Sequence, residues 1–123
     1  MIDQDELKKL VDSHRIGSLA VITPEGKPHN TPVWINYKDG FLVVFTRDYR
    51  VKTKYAKANP HCMISYDDGA IVGEIEVISR GTDAYTSIMD TSDEKYSDDP
   101  GYPEYKKNWN TALKIKVSKL YIF

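Results

Sequence analysis

The Asp39-Gly40 dipeptide constrains the fold more than any other feature of this sequence. Asp-Gly between two strand-like segments is the strongest short signal for a β-hairpin, because both residues tolerate the positive φ angles of a tight turn. Residues 28–38 (PHNTPVWINYK) precede the dipeptide and residues 41–46 (FLVVFT) follow it. The sequence therefore predicts two consecutive antiparallel strands over these two segments.

Four further segments have the composition of strands, and turns or helices separate them. The additional strands are predicted at residues 17–23, 61–67, 70–79 and 111–123, and the ambiguous alternation near Lys119 indicates a bulge. Helices are predicted at residues 3–13, which begin with a capping-box pattern, at 51–59 and at 82–96, and residues 97–103 are expected to form an irregular loop. The predicted fold is mainly β within the α+β class. It is a six-stranded antiparallel barrel with flanking helices and a single domain over residues 1–123.

Composition narrows the class of protein. The chain has 123 residues, of which 41% are hydrophobic and 28% charged, as in an ordinary globular domain. No apolar run approaches the roughly 20 residues that span a bilayer. The N-terminal segment lacks the apolar stretch of a secretory signal, and the single Cys62 cannot form an internal disulfide. We expect a cytoplasmic protein without a membrane segment.

Residues 46–57 are strongly basic in a chain whose formal net charge is -1. The segment contains two arginines and three lysines against the single acid Asp48. Three interpretations are open: a solvated helix face, a nucleic-acid contact or a discrete phosphate pocket. An isoelectric point near 6.3 argues against an extended nucleic-acid footprint, so we expect no nucleic-acid partner.

A phosphate pocket would use residues around the start of the predicted helix. Thr46 supplies a hydroxyl at the end of a strand, Arg50 can donate two parallel hydrogen bonds to phosphate oxygens, and Lys52 adds a point charge. A helix that begins near Val51 would direct free backbone N–H groups to the same point. Together these groups suit one terminal phosphate.

Pro32 interrupts an otherwise well-formed strand. Proline has no N–H to donate to a neighbouring strand, so Pro32 predicts either a sheet edge or a local opening. An edge protected against aggregation is one interpretation. The other is that a flat ligand lies along residues 31–34 and bonds to unpaired main-chain groups, with Asn30 and Thr31 adding side-chain donors.

Two motifs occur in a fixed order in the first half of the chain. The first consists of Gly26, Pro28, Pro32, Val33 and Trp34, and the second of Thr46, Lys52, Asn59 and Pro60. In this order and spacing, the segment from about residue 7 to residue 77 resembles the pyridoxamine 5'-phosphate oxidase-like flavin-binding split-barrel family.

The resemblance implies a split β-barrel that forms a homodimer, with FMN or a deazaflavin relative in a groove at the subunit interface. The cofactor phosphate would be held by Thr46, Arg47, Arg50 and Lys52, with Val51 at the helix start. The ring and ribityl chain would be bordered by the backbone of Asn30, Thr31, Pro32, Val33 and Trp34.

The activity implied by the resemblance is that of a flavin-dependent oxidoreductase acting on an unidentified small molecule. The alternatives are a deazaflavin-dependent reductase and a non-catalytic module that binds flavin or haem. Thr31 stands where the true oxidases usually have an arginine, so pyridoxamine phosphate is not the expected substrate.

The remaining chemically active side chains give weaker signals. His14, His29 and His61, with Cys62, lack the spacing of a metal site, and we expect none. His29 lies near the proposed groove, where a structural role is expected. Trp109 is expected to be a core or interface residue, and contact with a neighbouring subunit's flavin is its alternative role.

Overall fold

The structure, a computed structural model, describes residues 2–123. The helices are α1 (Gln4–Asp12), α2 (Val51–Ala58), α3 (Asp83–Tyr96) and α4 (Tyr102–Asn108). The strands are β1 (Ile16–Ile22), β2 (Pro28–Trp34), β3 (Asn36–Lys38), β4 (Phe41–Thr46), β5 (His61–Tyr66), β6 (Gly69–Ser79) and β7 (Thr111–Ile122). The mainly β, α+β class is confirmed.

All seven strands form one antiparallel sheet in the order β2-β1-β5-β6-β7-β4-β3. The prediction of six strands is wrong because the segment 28–38 is two strands, which pair with different partners. β2 pairs with β1 and β3 pairs with β4, at opposite ends of the sheet. Strand pairing among the described residues therefore leaves the sheet open, and the barrel expected from the sequence is not closed by hydrogen bonds.

The break between β2 and β3 lies at Ile35, and a side chain from α3 fixes it. The hydroxyl of Tyr96 accepts a hydrogen bond from the Ile35 N–H at 3.0 Å and donates to the Arg15 carbonyl at 2.7 Å. The ammonium of Lys95 donates to the Ile35 carbonyl at 2.7 Å. These bonds replace strand pairing at Ile35, so the chain can turn from one sheet edge to the other without leaving buried polar groups unsatisfied.

The Asp39-Gly40 hairpin is confirmed. Asp39 has φ 49° and Gly40 has φ 91°, and the flanking strands β3 and β4 pair antiparallel. Positive φ at both central residues is the geometry of the tight turns that suit twisted strands. The turn therefore joins β3 directly to β4.

Strand β4 is buried on both faces. Leu42 and Val44 lie in the main core, whereas Val43 and Phe45 lie in a second cluster with residues of α3. Burial on both sides explains why FLVVF is a continuous apolar run without polar alternation. The end of β4, where the basic segment begins, is consequently held from two directions.

Helix α1 packs on the main core through one narrow stripe of apolar side chains. Leu7, Leu10 and Val11 are buried, and the Asp3 carboxylate accepts hydrogen bonds from the N–H groups of Asp5 and Glu6. Burial of each large aliphatic side chain contributes roughly 1.5–3 kcal/mol relative to exposure. The predicted cap and the packing of this helix are both confirmed.

The segment after α3 is more ordered than the sequence indicated. Residues 102–108 form α4, and the predicted loop therefore ends at residue 101. Tyr102 is buried, and its hydroxyl donates to the Asp93 carboxylate at 2.6 Å. A buried tyrosine with a paired hydroxyl anchors this segment on α3, so the end of the predicted loop is helical and fixed to the rest of the fold.

The bulge predicted near Lys119 is present one residue earlier. The register between β6 and β7 shifts between Val72 and Gly73, where Ser118 is the extra residue of β7. The Ser118 hydroxyl donates to the Val72 carbonyl at 3.0 Å.

None of the helices in the described part of the chain is long and apolar enough to cross a membrane.

Candidate cofactor site

The basic segment folds into a tight turn between β4 and α2. The Arg50 N–H donates to the Arg47 carbonyl at 3.2 Å, and the hydroxyl of the fully buried Thr53 donates to the same carbonyl at 2.9 Å. On the other side, the Asp48 N–H donates to the Asn110 side-chain oxygen at 2.8 Å. Buried and long-range hydrogen bonds therefore fix the backbone that carries the arginines.

Tyr49 orients both arginines of this turn. Arg47 donates to the Tyr49 hydroxyl at 2.7 Å, and its guanidinium carbon lies 5.6 Å from the centre of the ring. The guanidinium carbon of Arg50 lies 5.4 Å from the same centre. Contacts of this kind attract the guanidinium to the negative face of the ring. The two positive groups are thus held around one aromatic side chain.

The positive charges of this site are not paired with an acidic side chain in the described part of the chain. None of the ion pairs found among residues 2–123 includes Arg47, Arg50 or Lys52. Burial, and secondarily the charge of Arg50, lowers the pKa of the half-buried Lys52 below its usual value. Three neighbouring cations without an anion repel one another, so a bound anion would be stabilised here.

The first cleft is a cavity of about 410 Å³ beside these cations. Its volume lies within the roughly 300–1,000 Å³ of typical small-molecule sites. The cleft is lined by Pro32, Val33, Trp34, Phe45, Thr46, Arg47, Arg50, Lys52, Tyr105 and Trp109. One part of its wall is cationic and the other is aromatic and apolar.

The aromatic part of the first cleft is built around Trp34. One face of its ring stacks on Tyr96, with centroids 4.3 Å apart and planes inclined by 5°. Tyr105 and Trp109 stand almost perpendicular to Trp34, at 90° and 82°. Trp109 in turn stacks on Phe45 at 5.4 Å. The wall is therefore supported by the protein interior and presents aromatic groups to the cavity.

The second cleft, of about 370 Å³, also borders these cations. It is lined by His29, Thr31, Tyr49, Arg50, Val51 and Lys52. Arg50 and Lys52 belong to both clefts. The Thr31 hydroxyl oxygen is buried and makes no hydrogen bond within residues 2–123.

The structure places every residue predicted for the cofactor site in one of these clefts, except Asn30. Asn30 is exposed on β2 and lines neither cleft. The prediction that Pro32 marks a sheet edge is confirmed, since β2 is the terminal strand of the sheet. Pro32 also lines the first cleft.

Sequence reasoning missed three lining residues, namely Phe45, Tyr49 and Tyr105. Tyr105 and Trp109 are four residues apart, a spacing that places both on one side of a helix. Trp109 lines the first cleft of its own chain. A helical interpretation of YPEYKKNW would have indicated this aromatic pair.

The histidines and the cysteine lie outside the first cleft. The Nε2 atom of His14 lies 2.8 Å from the Asp68 carboxylate. One possible ligand atom from each of His14, Asp67 and Asp68 lies within 4.8 Å of the other two. Sequence spacing did not indicate this cluster, and both aspartates are largely exposed. Cys62 is buried, and burial raises the pKa of its thiol to about 12, so it is unreactive.

Structures of known proteins share this fold over nearly the whole chain. A conserved hypothetical protein of Mycobacterium tuberculosis is 22% identical with a TM-score of 0.76, covering 98% of this chain and 83% of its own. An F420 reductase is 18% identical with a TM-score of 0.68, covering 91% and 94%. An FAD-binding protein of Mesorhizobium loti is 15% identical with a TM-score of 0.65, covering 98% and 93%.

Sequence comparison gives the family. No curated protein matches the chain. The model of the pyridoxamine 5'-phosphate oxidase family, in contrast, matches residues 3–122, almost the entire sequence. This match agrees with the fold of the similar structures and with the resemblance found in the sequence. The chain belongs to the pyridoxamine 5'-phosphate oxidase family.

Proposed function

We propose that the first cleft binds FMN and that the protein is a flavin-dependent oxidoreductase acting on a small molecule. The observation that carries the proposal is the arrangement of Arg47, Arg50 and Lys52. Among the described residues these cations have no acidic partner, and they line a cleft whose wall is divided between cationic side chains and aromatic or apolar ones. FMN has the same division, with an anionic phosphate at one end and a planar ring at the other.

The residues of the cleft fit the phosphate. A phosphate monoester carries close to two negative charges at neutral pH, and arginine binds two of its oxygens at once. The Thr46 side chain, which is 5% exposed, reaches the cleft at the end of β4. Helix α2 begins at Val51 beside Arg50 and Lys52, and the start of a helix favours a bound anion.

The other end of the cleft fits a ring. Pro32 and Trp34 lie on the unpaired edge of the sheet, where main-chain groups are free to bond a planar heterocycle. Tyr96 supports Trp34 from behind and keeps its ring in one orientation. When bound, a flavin supplies two-electron transfer, and the protein binds it, orients it and limits the access of water.

We further propose that a second copy of the chain completes the site. Ile16, Met63 and Tyr121 are 58%, 40% and 45% exposed. Strand register places these three side chains on one face of the sheet, the face that also carries Pro32 and Trp34. Apolar surface thus continues from the first cleft across the sheet, as expected for a homodimer with the cofactor at its interface.

Similar structures leave the choice of cofactor open between flavin types. One of the proteins with this fold is an F420 reductase and another binds FAD. A deazaflavin coenzyme therefore stands beside FMN as an alternative for the first cleft. Haem is less well supported, because the lining of the first cleft contains no histidine, cysteine or methionine that could bind iron. A cytoplasmic location remains a prediction.

Calorimetric titration of the purified protein with riboflavin, FMN and a deazaflavin coenzyme tests the proposed function. We expect FMN to bind with a shift of its visible absorption bands, and riboflavin, which lacks the phosphate, to bind much more weakly. Tighter binding of the deazaflavin would replace FMN as the cofactor. Absence of heat and of spectral change with all three ligands would refute the proposal.

A further inference from the structure

A further cavity, of about 310 Å³, is separate from the cofactor site and shares no lining residue with either cleft. Helix α1, strand β3 and helix α3 each contribute to its wall. Its volume is at the lower end of the range for small-molecule sites. We call it the Lys95 cavity, and its wall includes Lys8, Asp12, Tyr37, Thr91, Glu94 and Lys95.

The amine of Lys95 is fixed by backbone carbonyls and not by an acid. Its Nζ atom donates to the Val11 carbonyl at 2.8 Å and to the Ile35 carbonyl at 2.7 Å. No ion pair found among residues 2–123 includes Lys95. A neutral amine has two N–H groups and one lone pair. The two carbonyls can therefore accept both N–H groups and leave the lone pair free to react.

Lys95 has the chemistry of a nucleophile near neutral pH. Burial lowers the pKa of its amine to about 8, the positive charge of Arg15 acts in the same direction, and the negative charge of Asp12 opposes them. At pH 7.5 roughly a quarter of such an amine is neutral, against roughly one part in a thousand for an ordinary lysine. Neutral lysine amines react with carbonyl compounds. Lys95 is only partly buried and lines the cavity, so a ligand can reach it.

The charges of the wall favour a neutral ligand. Its charged side chains are the amines of Lys8 and Lys95 and the carboxylates of Asp12 and Glu94. Lys8 already forms an ion pair with Asp12. An anionic ligand would lie near Glu94 with no free cation except the reacting amine, and that arrangement is repulsive.

Two hydroxyl groups of the wall can accept hydrogen bonds from a ligand. The Thr91 hydroxyl donates to the Ile88 carbonyl at 2.8 Å, and the Tyr37 hydroxyl donates to the Gln4 side-chain oxygen at 2.9 Å. Each hydroxyl uses its single hydrogen in that bond and keeps lone pairs on its oxygen. Thr91 and Tyr37 are only partly buried. A ligand with hydroxyl groups of its own would therefore find acceptors beside the amine.

We propose that Lys95 forms an imine with a small neutral carbonyl compound that carries hydroxyl groups, such as a hydroxyaldehyde. The lone pair of the amine attacks the carbonyl carbon, the π electrons move to the oxygen, and a proton passes from nitrogen to oxygen. Loss of that oxygen as water leaves a protonated C=N bond. One ammonium and one aldehyde thus become one iminium and one water, so atoms and charge balance and no oxidant or reductant is consumed.

The backbone around Lys95 can accommodate this adduct. The iminium keeps one N–H, which the Ile35 carbonyl can accept. The Val11 carbonyl loses the contact with Lys95 but still accepts a hydrogen bond from the His14 N–H at 3.3 Å. Neither carbonyl is left without a donor, so the reaction avoids the cost of an unsatisfied buried group.

Reductive trapping of the full chain tests the inference, with glyceraldehyde and propanal as probes and sodium cyanoborohydride as the trapping reagent at pH 7.5. Only glyceraldehyde carries hydroxyl groups, and the two aldehydes have carbon chains of equal length. Peptide mapping by mass spectrometry measures the labelling rate at each lysine. We expect glyceraldehyde to label Lys95 at least about tenfold faster than Lys9, an exposed lysine of α1 outside the cavity.

Lys9 also gives the ratio of the two aldehyde rates at an ordinary lysine. Lys95 should favour glyceraldehyde by at least about fivefold more than Lys9 does, because hydrogen bonds in the cavity assist only that probe. If Lys95 reacts no faster than Lys9, or if both lysines show the same ratio of rates, the inference is wrong. Neither result would affect the proposed flavin site, which shares no lining residue with this cavity.

Thr91→Val removes one hydroxyl acceptor and keeps the shape of the side chain. It should lower the preference of Lys95 for glyceraldehyde at least about threefold and leave labelling by propanal unchanged. Thr86→Val is the matched control, because Thr86 lies on the same helix, donates to the Thr82 carbonyl at 3.2 Å and lies outside the cavity. Circular dichroism establishes that both variants are folded. Equal preference for glyceraldehyde in Thr91→Val and Thr86→Val would overturn the inference.

Discussion

The rings of Trp34 and Tyr96 are stacked almost in parallel, with centroids 4.3 Å apart and planes inclined by 5°. Tyr96 is fully buried at the end of α3, whereas Trp34 is the last residue of β2 and lines the first cleft. The Tyr96 hydroxyl also bonds the N–H of Ile35, the residue after Trp34. One side chain therefore supports both the ring and the backbone of the cleft wall.

Tyr96→Phe is expected to destabilise the protein while keeping the stack. The phenyl ring preserves the contact with Trp34, but the buried N–H of Ile35 loses its acceptor. Such a loss costs about 1–3 kcal/mol in the free energy of unfolding. Chemical denaturation measures the change. Tyr105→Phe is the control, because Tyr105 is 51% exposed and its hydroxyl makes no hydrogen bond within residues 2–123. Equal destabilisation by both variants would contradict the role of the Tyr96 hydroxyl.

Lys52→Ala is expected to weaken FMN binding more than it lowers stability. Lys52 lines both clefts, and removing a charged hydrogen-bond donor to phosphate costs about 1.5–3 kcal/mol, or roughly 10- to 100-fold in affinity. Because burial and Arg50 already lower its pKa, its loss also relieves repulsion in the free protein. Calorimetry with FMN and thermal unfolding measure the two effects.

Lys54→Ala is the matched control for Lys52→Ala, since Lys54 belongs to the same helix and is exposed outside both clefts. It should leave FMN affinity nearly unchanged. Riboflavin gives a second check, because a ligand without phosphate should not distinguish Lys52→Ala from the parent. Equal FMN affinity in the parent and Lys52→Ala would remove Lys52 from the phosphate site.

The features predicted correctly from the sequence are those that local chemistry determines. The Asp39-Gly40 turn, the Asp3 cap and the start of α2 at Val51 each depend on residues within a few positions of one another. The break at Ile35 does not, because the groups that satisfy its backbone belong to Lys95 and Tyr96, about 60 positions along the chain. The local pattern of residues 28–38 fits one long strand as well as two, so it does not show that β2 and β3 are separate.

Helix α4 was missed for a different reason. Its signal is present in the sequence, since Pro103 lies in the first turn, where proline is well tolerated. The preceding Asp-Pro-Gly favoured an irregular loop instead. The consequence for the site was the omission of Tyr105, whereas the cationic residues, which follow a strand directly, were found.

Raising the pH from 7.5 to 9.5 is expected to increase the free energy of unfolding through the titration of Lys95. Burial lowers the pKa of Lys95 to about 8 in the folded protein, against 10.5 as the ordinary value. Between these values the unfolded chain binds more protons than the native one, so the free energy of unfolding rises with pH. Well below pH 8 the Lys95 amine is charged in both the folded and the unfolded chain, so its contribution to the free energy of unfolding no longer changes with pH.

A Lys95→Met variant isolates this contribution. Denaturation at pH 7.5 and at 9.5 should show a gain in the parent that is larger than the gain in Lys95→Met. Buried groups whose pKa is raised, such as Cys62 and Tyr96 at about 12, add an opposite slope over this range, but they are common to the parent and Lys95→Met and cancel in the comparison. A parent and variant with identical pH dependence would show that Lys95 keeps an ordinary pKa.

Met63→Glu is expected to produce a monomer with reduced FMN affinity. Met63 is 40% exposed at the centre of β5, on the sheet face that also carries Ile16 and Pro32. A carboxylate in the proposed interface would lose hydration without a partner, which opposes association. Sedimentation velocity should give a dimer for the parent and a monomer for the variant.

Glu6→Gln is a control for Met63→Glu because Glu6 is exposed on α1, which packs on the opposite face of the sheet and lies outside both clefts. It should remain a dimer and keep the FMN affinity of the parent. Circular dichroism establishes that Met63→Glu is folded, as expected for a substitution on an exposed face opposite the core. If the parent sediments as a monomer at micromolar concentration with FMN bound, the site is not shared between two subunits. If Met63→Glu is a folded monomer with weakened FMN binding, dimer formation is connected to the cofactor cleft.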